Sequence, residues 1–270
     1  MTVRTFELAG TAARAIGEAP TLAQASAVLP SGAYTSLRTY GGSRVLRLEE
    51  HVRRLEHSVA LQGQPGVLDS AAVRGAIAAA LATAGHPESR LRLTFAPPRL
   101  FASVEPFEPL PEALYLEGVA CVTLGVRREN PHAKDTRFIA TAHGAYGSLP
   151  DGVHEGLLVA ADGSLLEGLS SNFFALRGGE LHTEEERVLA GVTRSLVLEV
   201  AERLLPVRRT AIRKHELALV DEAFITSVSR EVLPVVRVDG RPLGDGRVGP
   251  KTRAILDAFA ALVEREREPL

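Results

Sequence analysis

Apolar and polar positions alternate, then switch to a helical spacing, early in this chain. Residues 33–48 read as two extended runs around a turn: Ala33-Tyr34-Thr35-Ser36-Leu37-Arg38-Thr39-Tyr40, then Gly41-Gly42, then Val45-Leu46-Arg47-Leu48. A Gly-Gly pair between such runs signals a hairpin. The spacing of Val52, Leu55, Val59 and Leu61 predicts a helix over about 49–62. A second, alanine-rich helix is predicted over about 70–84, with Asp69-Ser70 as a cap and Gly85 as the stop. Two short strands follow, Leu91 to Phe95 and Leu100 to Val104. The proline-rich segment Glu105 to Glu112 then breaks the pattern and is the best candidate for an interdomain linker.

Beyond it the pattern restarts with a strand from Val119 to Val126. A polar stretch of about 127–151 carries few strand or helix signals. Strands are predicted at Gly156 to Ala160, Asn172 to Leu176, Ala223 to Val228 and Val232 to Val238, with helices at about Thr193 to Leu204 and 251–265. Strands clustered in each half, with helices spaced irregularly, favour an α+β fold over a βαβ array. The length of 270 residues fits one large or two modest domains.

Composition narrows the partners. The 31 basic and 33 acidic residues leave a net charge of −2, so neither a nucleic-acid footprint nor a polybasic membrane surface is expected. No apolar run approaches the roughly 20 residues of a membrane span, and Met1 to Arg14 lacks the apolar region of a signal peptide. The single cysteine, Cys121, reads as a buried inert thiol, and one cysteine cannot form an intramolecular disulfide. A cytoplasmic protein is expected.

Lysine usage is the first chemical oddity. Three lysines, Lys134, Lys214 and Lys251, stand against 28 arginines. Where only a positive charge is needed, this sequence uses arginine. A lysine that remains is a candidate for amine chemistry, since a guanidinium cannot form a Schiff base. Lys214 and Lys251 look like solvated charges, whereas Lys134 lies in the irregular segment Asn130-Pro131-His132-Ala133-Lys134.

Two other segments stand out. Glu167, between Leu166 and Gly168 and ahead of Asn172, is either a carboxylate where backbone approaches a ligand closely or the exposed Glu of a hairpin. Ala190-Gly191-Val192-Thr193-Arg194-Ser195 opens a helix, either as an anion site or with Thr193 as an ordinary cap. Gly244 to Gly249 matches GxGxxG, but no strand leads into it and no βαβ unit can follow. The eight histidines show no HExxH or i, i+4 pair, so no metal site is expected.

In this order the pieces resemble the class IV, fold-type IV pyridoxal-phosphate enzymes, which include branched-chain and D-amino-acid aminotransferases and aminodeoxychorismate lyase. The resemblance covers about residues 32–240 and rests on ordered blocks. These are Gly32 to Arg38, His51-Val52-Arg53-Arg54-Leu55, Asn130 to Lys134, Leu166 to Asn172 with Leu189 to Arg194, and Asp221 to Phe224 continuing through Ser229-Arg230-Glu231 to Val235. Thr35 stands where an acidic residue is common, and Phe138 and Ile139 occupy a stretch where many aminotransferases place a tyrosine.

The resemblance implies pyridoxal 5′-phosphate as cofactor, with Lys134 bonding it and then moving the proton. Glu167 would pair with the pyridine nitrogen. Arg54 would bind the phosphate with the Val192 and Thr193 amides and the turn at Val228-Ser229. Leu189 would pack on the ring, Asn172 and Gly191 would complete the cofactor set, and Tyr34 and Arg38 would line the substrate side. The implied architecture is a small α+β domain over 1–110 and a larger domain with a barrel-like sheet over 117–270, with the cofactor at their interface and a homodimer as the assembly. The implied activity is amino-group transfer between an amino acid and a 2-oxo acid. The alternatives are aminodeoxychorismate lyase and a non-catalytic small-molecule binding relative.

Overall fold

The computed structural model describes residues 2–270, which form two compact units. The first comprises residues 2–108, Ala133–Thr141 and Arg265–Leu270, and the second Pro109–His132 and Ala142–Glu264. A cut at the proline-rich segment alone assigns Ala133–Thr141, and Lys134 with it, to the second half, whereas in the structure they belong to the first unit.

The first unit is built on strands β1 (Val3–Ala9), β2 (Ala12–Ala19) and β3 (Ala33–Arg38), the short β4 (Arg44–Leu46), and β5 (Ser89–Ala96) and β6 (Arg99–Pro106). Helices α1 (Leu22–Ala27), α2 (Leu48–Leu61) and α3 (Ser70–Ala84) accompany them. Five strands pair antiparallel in the order β2-β1-β6-β5-β3. The Gly41-Gly42 turn exists, with both glycines at positive φ (61° and 77°), and Tyr40 and Arg44 exchange both backbone hydrogen bonds around it, at 2.8 and 3.2 Å, but the expected hairpin extends no further into β3 and β4. β3 pairs with β5, and β4 with a C-terminal strand. β5 lies beside β3 and continues the apolar face that α2 and α3 cover, although it follows β3 only after both helices.

Spacing along α2 explains its burial. Leu48, Val52, Leu55 and Val59 recur on one face and pack with Val73, Ala76, Ile77 and Ala80 of α3 against Leu37, Leu91, Leu93 and Phe95 of the sheet. Each fully buried Leu or Val of this kind contributes about 1.5–3 kcal/mol. Asp69 accepts from the amides of Ala71 and Ala72 at the start of α3, and Gly85 ends it in the left-handed region. Alternation in β3 sends Leu37 to this helical face and Tyr34, Ser36 and Arg38 to the other.

The second unit opens with α4 (Glu112–Glu117) and β7 (Val119–Leu124). The stretch with few strand or helix signals contains α5 (Arg137–Tyr146), whose first residues, among them its one buried residue, Phe138, belong to the first unit and whose residues from Ala142 on belong to the second. Then come β8 (Val153–Val159), β9 (Leu165–Gly168), β10 (Asn172–Arg177), β11 (Glu180–His182), α6 (Val192–Ala201), β12 (Val207–Arg208), β13 (Glu222–Ser227), β14 (Glu231–Val238), β15 (Arg241–Pro242) and α7 (Pro250–Glu266), after which the chain returns to the first unit with β16 (Arg267–Pro269), the partner of β4. The nine-stranded sheet runs β12-β11-β10-β13-β14-β7-β8-β9, with β15 paired to β14 off this path, and a further pairing of β9 with β10 closes the ring β10-β13-β14-β7-β8-β9. Phe173, Ala175, Ile225, Leu233 and Val235 fill one core of this unit, while Phe174 and Phe224 stack at 4.8 Å on the opposite strand faces.

Candidate active site

Lys134 is held like a residue of a sheet edge. Its carbonyl accepts from the Tyr34 amide at 2.8 Å, and Ala33 bridges Asp135 in antiparallel register. The Thr136 amide donates to the Gly32 carbonyl, and the Gly32 amide to the Thr136 hydroxyl, each at 3.0 Å. Gly32 must be glycine, because a Cβ there would stand 2.1 Å from the Phe95 carbonyl oxygen. The Lys134 amide donates to the Ser58 hydroxyl of α2 at 3.2 Å. With its backbone fixed, the Lys134 ammonium lies 4.8 Å from the centre of the Tyr34 ring. The Arg92 guanidinium lies 5.1 Å from the same ring, tied down by the Leu22 carbonyl and the Ser26 hydroxyl.

The other predicted residues of this unit divide between the two faces of β3. Arg54 is on the helical side and donates to the buried Thr35 hydroxyl. Arg38 is on the Tyr34 side but further along the strand. Its guanidinium is sandwiched between the rings of Tyr40 and Phe107, at 4.2 and 4.6 Å, rather than beside Lys134.

In the second unit Glu167 is buried. Its Oε2 accepts from the Leu189 amide at 3.2 Å and the Asn172 side-chain amide at 3.5 Å, and Arg128 faces its Oε1 at 3.1 Å. Burial excludes the reading of Glu167 as an exposed hairpin residue. Asn172 also donates to the Leu189 carbonyl at 2.9 Å, so one side chain fixes both the carboxylate and the Leu189 backbone. In register, Glu167, Asn172 and Thr226 form one row across β9, β10 and β13. The Thr226 hydroxyl in that row is buried and has no hydrogen-bond partner among the described residues. Such a group calls for a polar ligand or water.

At α6 the cap is Gly191, with no side chain capping it, which corrects the alternative of Thr193 as the cap. The first amides of a helix have no intrahelical partner and favour an anion. A Cβ on Gly191 would stand 2.4 Å from Asn172 Oδ1, so the residue is glycine to let α6 start against Asn172. Val228 and Ser229 occupy the connection between β13 and β14, which the structure ties to a buried network that the sequence does not announce. Next to them, Arg230 donates to Glu155 Oε2 at 2.8 Å and to the Ser170 hydroxyl at 3.1 Å. The Tyr146 hydroxyl donates to Glu155 Oε1 at 2.6 Å, and Ser171 to Oε2 at 2.8 Å. Burial and the Glu155 carboxylate push the Tyr146 phenol well above its usual range. Nothing in the spacing singles out Arg128 or Arg230 from the other arginines.

A family model described as amino-transferase class IV matches residues 32–238. The chain belongs to the class IV aminotransferase family. A branched-chain-amino-acid aminotransferase of Pseudomonas aeruginosa is 31% identical over 162 residues, 56% of this chain and 52% of that protein. This class IV chain thus spans about half the length of the curated relatives it matches. Its fold is shared by a branched-chain aminotransferase of Thermoproteus uzoniensis crystallised with norvaline, with a TM-score of 0.81, 23% identity and 100% and 99% of the two chains covered. A branched-chain amino acid aminotransferase of Thermotoga maritima, named as a putative one, has a TM-score of 0.80 at 24% identity, covering 97% and 96%. A further branched-chain amino acid aminotransferase, crystallised with pyridoxamine 5′-phosphate, has a TM-score of 0.81 at 20% identity, covering 98% and 95%. Among the described residues, no helix is long and apolar enough to cross a membrane.

Proposed function

We propose that this chain is a pyridoxal-phosphate-dependent aminotransferase that moves an amino group between an amino acid and a 2-oxo acid. The observation that carries the reading is Lys134, a scarce lysine whose peptide is pinned from both sides and whose ammonium faces the Tyr34 ring. The donor set fits the cofactor: an amine for an aldehyde, a buried carboxylate for a basic ring nitrogen, and an arginine and an uncapped helix start for a phosphate. The relative that carries pyridoxamine 5′-phosphate supports the same cofactor.

When bound, the cofactor supplies a ring that withdraws electrons from the substrate's α-carbon. Lys134 Nζ would hold it and, once displaced by the substrate's amine, would take the substrate's α-proton and return it. Glu167, fixed by Leu189, Asn172 and Arg128, would keep a proton on the ring nitrogen. Arg54, the Val192 and Thr193 amides and the Val228-Ser229 turn would hold the phosphate, and Leu189 would pack on the ring. Gly191 admits the helix start. Tyr34 faces the substrate, and Arg38, held by its two rings, lines the outer part of that side. A homodimer belongs to the same reading as what the resemblance implies, and a cytoplasmic location belongs to it because the single, unpaired Cys121 suits a reducing compartment.

The test is a half-reaction with single amino acids and no acceptor, beginning with leucine, isoleucine and valine because the relatives bear that activity in their names. Stoichiometric conversion of the bound cofactor to pyridoxamine phosphate supports transamination. No conversion with any amino acid, together with pyruvate release from aminodeoxychorismate, moves the assignment to the lyase.

A further inference from the structure

We propose that Thr35 and His51 are positioning residues for Arg54, joined to it by a one-way hydrogen-bond chain that aims its guanidinium at an anion. The inference rests on the reading of Arg54 as a phosphate contact.

The direction of the chain follows from what each group can do. Arginine only donates. Arg54 therefore gives a proton to Thr35 Oγ1, at 2.5 Å. The hydroxyl has one hydrogen of its own, and the remaining neighbour is His51 Nδ1 at 2.7 Å. With the hydroxyl hydrogen given to His51 Nδ1, the ring is neutral and carries its own hydrogen on Nε2. Its surroundings enforce that state. The ring is buried, and both Arg54 and Lys134 repel a proton from it, so its pKa lies well below the usual value.

Local structure explains why these three meet. His51 and Arg54 are three apart on α2 and share a face. Thr35 reaches them because β3 alternates, sending Tyr34 to the opposite face with Lys134. Neither Thr35 nor His51 is a carboxylate, so the pair orients Arg54 without neutralising it. A rigid donor fork costs less ordering when the anion arrives.

The test measures binding of pyridoxal phosphate and of pyridoxal, which lacks the phosphate, to apoprotein by equilibrium dialysis. Thr35→Val is expected to weaken pyridoxal phosphate about tenfold, the scale of one hydrogen bond to a charged group, and to leave pyridoxal unchanged. Thr35→Ser is expected to restore the affinity. Equal losses for both ligands would mean a merely structural role and overturn the proposal. Unchanged phosphate-ligand affinity in Thr35→Val, with a loss in Arg54→Ala, would also overturn it while sparing Arg54 as the contact. No loss in Arg54→Ala would remove the reading beneath it. Should Thr35→Val not fold, His51→Leu against His51→Asn offers the same contrast, since asparagine keeps a polar partner near Nδ1 and leucine does not.

Discussion

Glu167 and Asn172 stand opposite each other in the register pair that joins β9 to β10 and closes the ring of strands. The carboxylate is therefore aimed by barrel closure itself, with Asn172 and the Leu189 amide on one oxygen and Arg128 on the other. Glu167→Gln keeps the shape and removes the charge. Turnover is expected to fall roughly 10²-fold while the cofactor stays bound, as for loss of a positioned ionic partner in proton transfer. Stopped-flow measurement of the amino-acid half-reaction checks this, and an unchanged rate would falsify the assignment of Glu167 to the ring nitrogen.

Lys134→Ala removes the amine but none of the backbone bonds that pin the segment. The variant is expected to fold, to lose the yellow colour of the holoenzyme and to lose nearly all turnover. Borohydride reduction of wild-type holoenzyme followed by peptide mapping should label Lys134. A label on Lys214 or Lys251 instead would show the cofactor elsewhere.

Local patterns gave what local forces decide. The spacing of Val52, Leu55 and Val59 predicts 49–62, and the helix is Leu48–Leu61. Asp69 and Gly85 bound α3 as caps should. What escaped was decided at a distance. β2 is nearly all exposed, so Ala12–Ala19 has no apolar face to reveal it. The partners of β3 and β4 are chosen by packing against remote segments, which limits the Gly-Gly hairpin to the single Tyr40–Arg44 bridge. In the candidate site, scarcity of lysine marked Lys134 and the neighbours of Glu167 marked the carboxylate. Arg128 and Arg230 act through burial beside Glu167 and Glu155, and burial leaves no mark when arginine is the commonest cation in the chain.

Arg230 is expected to matter more for stability than any surface arginine. Its partner Glu155 is fully buried and takes further hydrogen bonds from Tyr146 and Ser171. Arg230→Met would strand that carboxylate, and breaking a buried pair from one side typically costs about 3–5 kcal/mol. Urea denaturation measures the loss. The double variant Arg230→Met/Glu155→Gln should recover part of it, because it removes the stranded charge. Additive losses would show that the two side chains do not act as a pair.

His51 predicts a dependence of stability on pH. Its usual pKa is 6.5, and in the folded chain burial first, then Arg54 and Lys134, hold it well below that value. Above pH 6.5 both folded and unfolded chains keep the ring neutral, and it costs nothing. As the pH falls below 6.5, the unfolded chain takes up a proton that the folded chain refuses, so stability drops until the folded pKa is reached. His182 is depressed by burial in the same direction, so wild type must be compared with His51→Asn rather than read alone. Urea denaturation of both apoproteins at about pH 7.5 and about pH 5.5 spans the range in which an unperturbed histidine titrates. Wild type should lose more stability than His51→Asn over that interval. Equal losses would mean that His51 takes up its proton as readily in the folded chain as in the unfolded one.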